Sequence, residues 1–446
     1  MKWLSLAIVV ALALPARADG PKIDYTKFEL PNGLRVYVIE DHKLPQVNEV
    51  MWVRVGSKDE VAHRTGFAHL FEHLMFKGSA HIPDGLMDKL LEAGGGWSNA
   101  FTSTDQTVYQ NVAASNFLEQ MLWIESDRLA GLTDTLDQAK LDNQRDVVLN
   151  ERRQSYENQP YGMASLWLTT VLWPKQFGYH WSTIGYTADI KAAALADVKA
   201  FFVKYYVPNN ITMVIAGDVK PDEVKRLVTK YFAWIPKAPT PTRPGYSNPA
   251  PMAKEIVVDT TDDVQVPRVY LAFRSPPSFS ADEAPLDMAA EILGGGKSSR
   301  LYQRLVYTEK IAQSVSASSQ DSELGGSFEI VVTAKPGTDP KRLAAEVSEE
   351  VAKLAAAPPE AAELERVINA HEADFLQGLE RTLTRAIRLA SYDVEAKDPD
   401  FFAKDLARYR AVTPKQVQAM TVKYLKKDAR LVLTINPGKK PAEEPQ

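Results

Sequence analysis

Cysteine is absent from the 446-residue chain. That excludes disulfide scaffolds, Cys-ligated zinc, iron–sulfur clusters and thiol nucleophiles, so any metal must be held by His and carboxylates. Histidine is scarce, at seven residues. An excess of positive charge is also lacking. The chain has 52 Lys+Arg against 57 Asp+Glu, a net −5, which leaves no basic footprint for nucleic acid. Beyond Leu14 no apolar run approaches the about 20 residues that span a bilayer. What remains, 45% apolar and 24% charged residues, is the composition of folded protein. The length calls for two or more cores, since single cores stop growing at about 250–300 residues.

Lys2, an apolar run from Trp3 to Leu14, Pro15 and then Ala16-Arg17-Ala18 follow the order of a secretory signal peptide. Cleavage is expected after Ala18. Loss of Lys2 and Arg17 would then move the net charge from −5 to −7. The expected compartment is the periplasm or the exterior, with no membrane function and no nucleic-acid partner. Residues 237–253 contain five prolines and read as a linker. It separates a first domain, 19–236, from a second, 254–436, and the Pro/Lys/Glu-rich tail 437–446 is expected to fray. The two domains repeat one order of elements. Extended segments (34–40 and 47–55; 255–259 and 268–273) precede two helical stretches around a Gly-rich break (68–76 and 85–92; 285–293 and 299–307). Further strands follow (97–110; 312–333), and β segments close each half at 211–217 and 431–436. Amphipathic stretches at 362–390 and 415–425 supply helical cover in the second half. The predicted fold class is α+β. Two homologous domains, each a mostly antiparallel sheet with helices packed on one face, are joined by the Pro-rich linker as a clam shell.

Two of the seven histidines fall in His69-Leu70-Phe71-Glu72-His73. On a helix, positions i and i+4 share a face, so both imidazoles can reach one ion, with Glu72 on the flank. This H-x-x-E-H order suits zinc plus a general base. The bland alternative is two hydrogen-bonded helix histidines and a solvated Glu. Against it, Phe67, Ala68, Leu70, Phe71, Leu74 and Met75 make the surroundings apolar, where an unpaired carboxylate is expensive. A catalytic zinc takes three protein ligands and leaves a position for water. His63 and His81 are too near in sequence, and His42, His180 and His371 lack a supporting motif, so a carboxylate is the better third ligand. Residues 136–156 read as a long polar helix that places Gln144, Val147/Val148 and Glu151 on one face. Taken alone, Glu151 would more often be a solvated surface acid.

The H-x-x-E-H motif, followed 78 residues after His73 by Glu151 in Arg145-Asp146-Val147-Val148-Leu149-Asn150-Glu151-Arg152-Arg153, resembles the pitrilysin and mitochondrial processing peptidase family of inverted-motif zinc peptidases. The likeness extends to Gly94-Gly95-Gly96-Trp97-Ser98-Asn99-Ala100-Phe101-Thr102 and to Leu293-Gly294-Gly295-Gly296-Lys297-Ser298-Ser299-Arg300-Leu301. It implies one zinc per chain on His69, His73 and Glu151, with Glu72 as the catalytic base. It also implies an edge strand around Asn99 and Ala100 that pairs with an extended peptide substrate. The residues alone allow an ordinary strand entry after a Gly-rich turn. Two departures stand out. Gln144 occupies a position where the family often has a second Glu supporting the ligand. The Arg and Tyr that the family's self-sufficient members carry seven apart in the second half fall here on Val306 and Gln313. The implied function is therefore a zinc metalloendopeptidase, as the metal-bearing subunit of a heterodimer whose homologous partner supplies the Arg/Tyr pair. The alternative is a non-catalytic assembly or peptide-binding subunit of the same fold.

Overall fold

The structure is a computed structural model and describes residues 20–246, 249 and 252–441. The expected signal peptide, residues 1–18, and its cleavage after Ala18 lie outside the described residues, as does the end of the tail.

Six strands form the first sheet: β1 (Thr26–Glu29), β2 (Arg35–Glu40), β3 (Gln46–Val53), β4 (Trp97–Thr102), β5 (Thr107–Ala114) and β6 (Ile211–Gly217). Their order is β1-β2-β6-β3-β5-β4. Five form the second: β7 (Ile256–Asp262), β8 (Arg268–Ser275), β9 (Ala312–Gln320), β10 (Gly326–Ala334) and β11 (Leu431–Pro437), in the order β7-β11-β8-β10-β9. With β1 set aside, both sheets run first, last, second, fourth, third. In each, the first and last strands pair in parallel and every other pair is antiparallel. The internal repeat read from the sequence is thus a repeat of topology.

The helices of the first half are α1 (Phe67–Leu74), α2 (Leu86–Ala93), α3 (Leu118–Thr135), α4 (Gln138–Arg152), α5 (Ala164–Leu172), α6 (Thr187–Ala192), α7 (Leu195–Tyr205) and α8 (Pro221–Phe232). Those of the second are α9 (Glu283–Gly294), α10 (Pro340–Ala356), α11 (Ala361–Gly378), α12 (Thr382–Ser391), α13 (Phe402–Arg410) and α14 (Pro414–Tyr424). Three local readings differ. The long helix expected over 136–156 is α4 followed by a π-helical turn, Arg153–Glu157. The stretch 299–307 ends in a π-helical segment, Tyr302–Thr308. The stretch 362–390 is two helices, α11 and α12.

One face of each sheet packs on helices of its own half. Val36, Val38, Met51 and Val53 meet Leu70, Phe71 and Leu74 of α1 in the first core, and Leu271, Phe273, Phe328 and Ile330 meet Leu286, Ile292 and Leu293 of α9 in the second. The other face of each sheet is covered by the opposite half. Tyr37, Val50, Trp52 and Val214 are buried under Ala386, Leu389 and Ala390 of α12, and Tyr270, Leu431 and Leu433 under Leu168 and Leu172 of α5. The halves are therefore joined by exchanged helices as well as by the proline-rich segment. That segment forms no helix or strand over 237–246, yet it is tied down, with Arg243 on Asp59 at 2.7 Å and Tyr246 on the carbonyl of Lys58 at 2.9 Å. The beginning of the tail departs from the expected fraying: Pro437 pairs with Asp262, the Gly438 N–H donates to the Asp262 carbonyl at 2.9 Å, and Lys440 meets the Asp262 carboxylate at 3.0 Å. Among the described residues no helix is long and apolar enough to cross a membrane.

Candidate metal centre

α1 presents the motif because its other face is committed to the core. Phe67, Leu70, Phe71 and Leu74, spaced i, i+3, i+4 and i+7, are buried, and Phe71 stacks on Phe202 of α7 with 4.9 Å between ring centroids. His69, Glu72 and His73 are thereby turned toward α4 and the edge strand β4, both of which α1 contacts. The helix starts at Gly66 with φ +84°, a left-handed conformation that suits glycine. The Glu60 carboxylate accepts from the N–H groups of Gly66 (2.9 Å) and Ala68 (2.8 Å), which answers the unpaired donors of the first turn.

Three side chains converge. The Nε2 atoms of His69 and His73 lie 3.3 Å apart, and Glu151 Oε2 is 3.2 Å from His73 Nε2 and 3.7 Å from His69 Nε2. One ligand atom from each fits within 4.8 Å. His69 is 13% exposed, His73 23% and Glu151 37%, so the cluster is recessed but open on one side. Burial, aided by the neighbouring His73 and opposed by Glu151, pushes His69 down to about 4. Its imidazole is thus neutral and its lone pair free, as a ligand requires. The bond to His73 holds Glu151 below the usual carboxylate range despite its burial.

Glu72 stands beside the cluster and does not join it. Burial raises its pKa above the usual value, opposed by the bond from Thr102 and by His73. The Thr102 hydroxyl, at the end of β4, donates to Glu72 Oε2 at 2.5 Å. Thr102 was not singled out from the sequence. The signal for it lies in strand alternation: Ser98, Ala100 and Thr102 share the half-buried face of β4, while Trp97, Asn99 and Phe101 share the exposed one. β4 is the edge of its sheet, with Asn99 and Ala100 opposite Gln110 and Tyr109 of β5 and the other side unpaired among the described residues. Gln144 is buried two turns before Glu151 on α4, and its amide donates to Asn143 at 2.7 Å, not to a member of the cluster. Val306 lies in the π-helical segment and Gln313 on β9, whereas every residue of the cluster comes from the first half. Other histidines have local partners, His81 with Asp127 at 2.6 Å and His180 with the Trp173 carbonyl at 2.8 Å.

A duplicated α+β unit whose first copy carries an H-x-x-E-H helix beside an edge strand defines a class, that of inverted-motif metallopeptidase folds. Residues 35–173 match the family described as "Insulinase (Peptidase family M16)" and residues 193–370 its "Peptidase M16 inactive domain". The chain belongs to this M16, or insulinase/pitrilysin, family. Among its relatives, the zinc protease PqqE of Helicobacter pylori is 28% identical over 433 residues, 94% of this chain and 97% of that protein. The mitochondrial-processing peptidase subunit beta of Blastocladiella emersonii is 28% identical over 292 residues, 65% of this chain and 61% of that one. A crystal structure of a protease from Helicobacter pylori superposes with a TM-score of 0.87 at 26% identity, covering 94% of this chain and all of that one. The periplasmic protease PqqL of Escherichia coli, at 20% identity and a TM-score of 0.77, shares the fold over 94% of this chain and 48% of its own.

Proposed function

We propose that the chain is a zinc-dependent metalloendopeptidase that hydrolyses peptides or unstructured polypeptide segments. The observation that carries this reading is the convergence of His69, His73 and Glu151 with the Glu72 carboxylate alongside. Two imidazoles and a carboxylate are a zinc-type donor set that leaves a fourth position for water. Zinc bound there would acidify that water and polarise the scissile carbonyl. Glu72 takes the water's proton and returns it to the leaving amine, a role suited to a carboxyl whose proton affinity burial has raised. Thr102 fixes which Glu72 oxygen faces away from the reacting atoms. Asn99 and Ala100 offer an unpaired strand edge on which an extended peptide adds as one more strand, and Gln144 supports the ligand-bearing helix from its buried face. Val306 and Gln313 supply neither a cation nor a phenol. A homologous partner subunit therefore contributes the Arg/Tyr pair, and the mature chain, cleaved after Ala18, works in the periplasm or outside the cell.

The test uses the zinc-loaded mature chain and a fluorogenic unstructured peptide, with and without a candidate partner. Glu72→Gln is expected to lower turnover by about 10²–10⁴-fold while one zinc per chain and peptide binding persist; His73→Ala is expected to lose the zinc. Wild-type turnover in Glu72→Gln would refute the peptidase reading. Full turnover by the chain alone would refute only the heterodimer.

A further inference from the structure

Two hairpin tips, equivalent under the internal repeat and one from each half, meet next to the end of β4. The β4–β5 turn spans residues 103–106, and the β9–β10 turn spans 321–325. Asp105 Oδ2 accepts from the Glu323 N–H at 2.9 Å, and the hydroxyls of Thr104 and Ser322 lie 3.4 Å apart. Between the tips lies Lys58, only 4% exposed. Its ammonium donates to Asp105 Oδ1 at 2.7 Å and to Glu323 Oε2 at 2.7 Å. Arg54 holds the other oxygen of Glu323 at 2.7 Å, and the Tyr179 hydroxyl donates to Asp105 at 2.7 Å while accepting from the Leu324 N–H at 2.9 Å. A buried ammonium needs counter-charge. Here the counter-charge is divided between the two halves.

The 3-10 turn Ser57–Asp59 that carries Lys58 is docked on the same hairpin tip. The N–H groups of Ser57 and Lys58 donate to the carbonyls of Ser103 (3.2 Å) and Thr104 (3.0 Å). Immediately before that turn, Thr102 holds Glu72. Two residues beyond Lys58, Glu60 caps the helix that bears His69, Glu72 and His73. Lys58 thus joins the two segments whose relative position sets the Thr102–Glu72 bond, and Glu323 completes its coordination from the opposite half. Burial would raise the Glu323 carboxyl, but Lys58 and Arg54 more than offset it and hold it down to about 2, so the charge persists at any working pH.

We infer that Glu323 is a positioning residue for Glu72, acting from the second half through Lys58 and Asp105 on the turn that carries Thr102. The inference rests on the peptidase reading of Glu72. It gives the half without a metal motif a part in the site of the half that has one.

Glu323→Gln leaves Lys58 matched by Asp105 alone, so the variant keeps a balanced buried pair and folds. The control is Asp393→Asn, which loosens another contact between the halves: Asp393 accepts from Tyr37 at 2.6 Å and Thr212 at 2.9 Å, and neither partner belongs to a hairpin tip. Both variants are studied as full-length mature, zinc-loaded chains well below their Tm, with the candidate partner present for turnover. Glu323→Gln is expected to raise amide hydrogen exchange over 98–107 about tenfold. It should also lower kcat about tenfold with KM and zinc content unchanged. Asp393→Asn should do neither. Equal exchange at 98–107 in the two variants overturns the inference, as does an unchanged kcat for Glu323→Gln. If the wild-type chain cleaves no peptide either alone or with the candidate partner, the peptidase reading is what fails, and the exchange comparison still decides whether Glu323 orders the turn.

Discussion

Glu49 on β3 and Glu125 on α3 are both fully buried, and buried Arg128 acts on both. Arg128 Nε donates to Glu125 at 2.7 Å and its guanidinium lies 4.7 Å over the Tyr109 ring, so the positive charge belongs to Glu125. Asn111 Nδ2 donates to Glu49 Oε2 at 3.1 Å, and Glu49 Oε1 has no hydrogen-bond partner among the described residues. Burial first, then the charge of Glu125, pushes Glu49 well above the usual carboxylate range. This environment favours the protonated form of Glu49, while Glu125 is ion-paired with Arg128. Glu49→Gln is expected to change unfolding free energy by less than about 1 kcal/mol, because an amide replaces a group that is already uncharged. Glu125→Gln strands Arg128 and is expected to cost about 3–5 kcal/mol. Urea denaturation of both variants checks this, and equal losses would mean that Glu49 is ionised.

At the scale of elements, the candidate site depends on how closely α1 approaches α4. The start of α1 is linked to the end of α4 through Gly185, in the loop before α6: a Cβ on Gly185 would lie 2.6 Å from both the Cα and the N of Gly66 and 2.5 Å from the Thr65 carbonyl oxygen. The Gly185 carbonyl in turn accepts from buried Arg152, the neighbour of Glu151, at 2.6 Å. Gly185→Ala, which also meets a φ of +70°, is expected to push α1 from α4, cost about 2–4 kcal/mol and weaken zinc binding at least tenfold. Calorimetric titration of the metal-free chain with zinc measures it, and unchanged affinity would show that the two helices move together. This packing was not legible in the sequence. The H-x-x-E-H pattern was, because i and i+4 are neighbours on any helix. Gln144 and Glu151 could likewise be put on one helix. What brings Glu151 to His73, and Thr102 to Glu72, is the order of strands and the crossing of helices, which no local pattern encodes. The strands read best where apolar residues dominate, as in Met213–Ala216 of β6. The π-helical turns after α4 and α12 were missed because they continue the helical spacing with one extra residue per turn.

For the whole molecule, the exchange of α5 and α12 makes each half's sheet depend on the other half for its second cover. The linker prolines are read as a boundary between the halves, but nothing in them tells that the halves interlock, since burial of a strand's second face does not name its partner. The polar contacts at this boundary give the interlock a pH dependence. Glu395, in the π-helical turn Tyr392–Ala396, is raised to about 7, first by burial, against the bond from Ser391 at 2.5 Å, and further by Asp105 and Glu323. The folded pKa is above the ordinary 4.5, so the folded protein holds this proton more tightly than the unfolded chain. The stability this confers is fully present below about pH 4.5 and is lost as pH rises through about 7. Glu395→Gln keeps the neutral shape and removes the titration. Relative to the parent, it is expected to be equally stable at pH 4.5 and more stable at pH 8 by roughly 1–3 kcal/mol. Urea unfolding at the two pH values, with both chains metal-free, isolates the effect from zinc binding. A difference that is the same at both pH values would mean that Glu395 is ionised throughout and that Lys58, not its own proton, neutralises it.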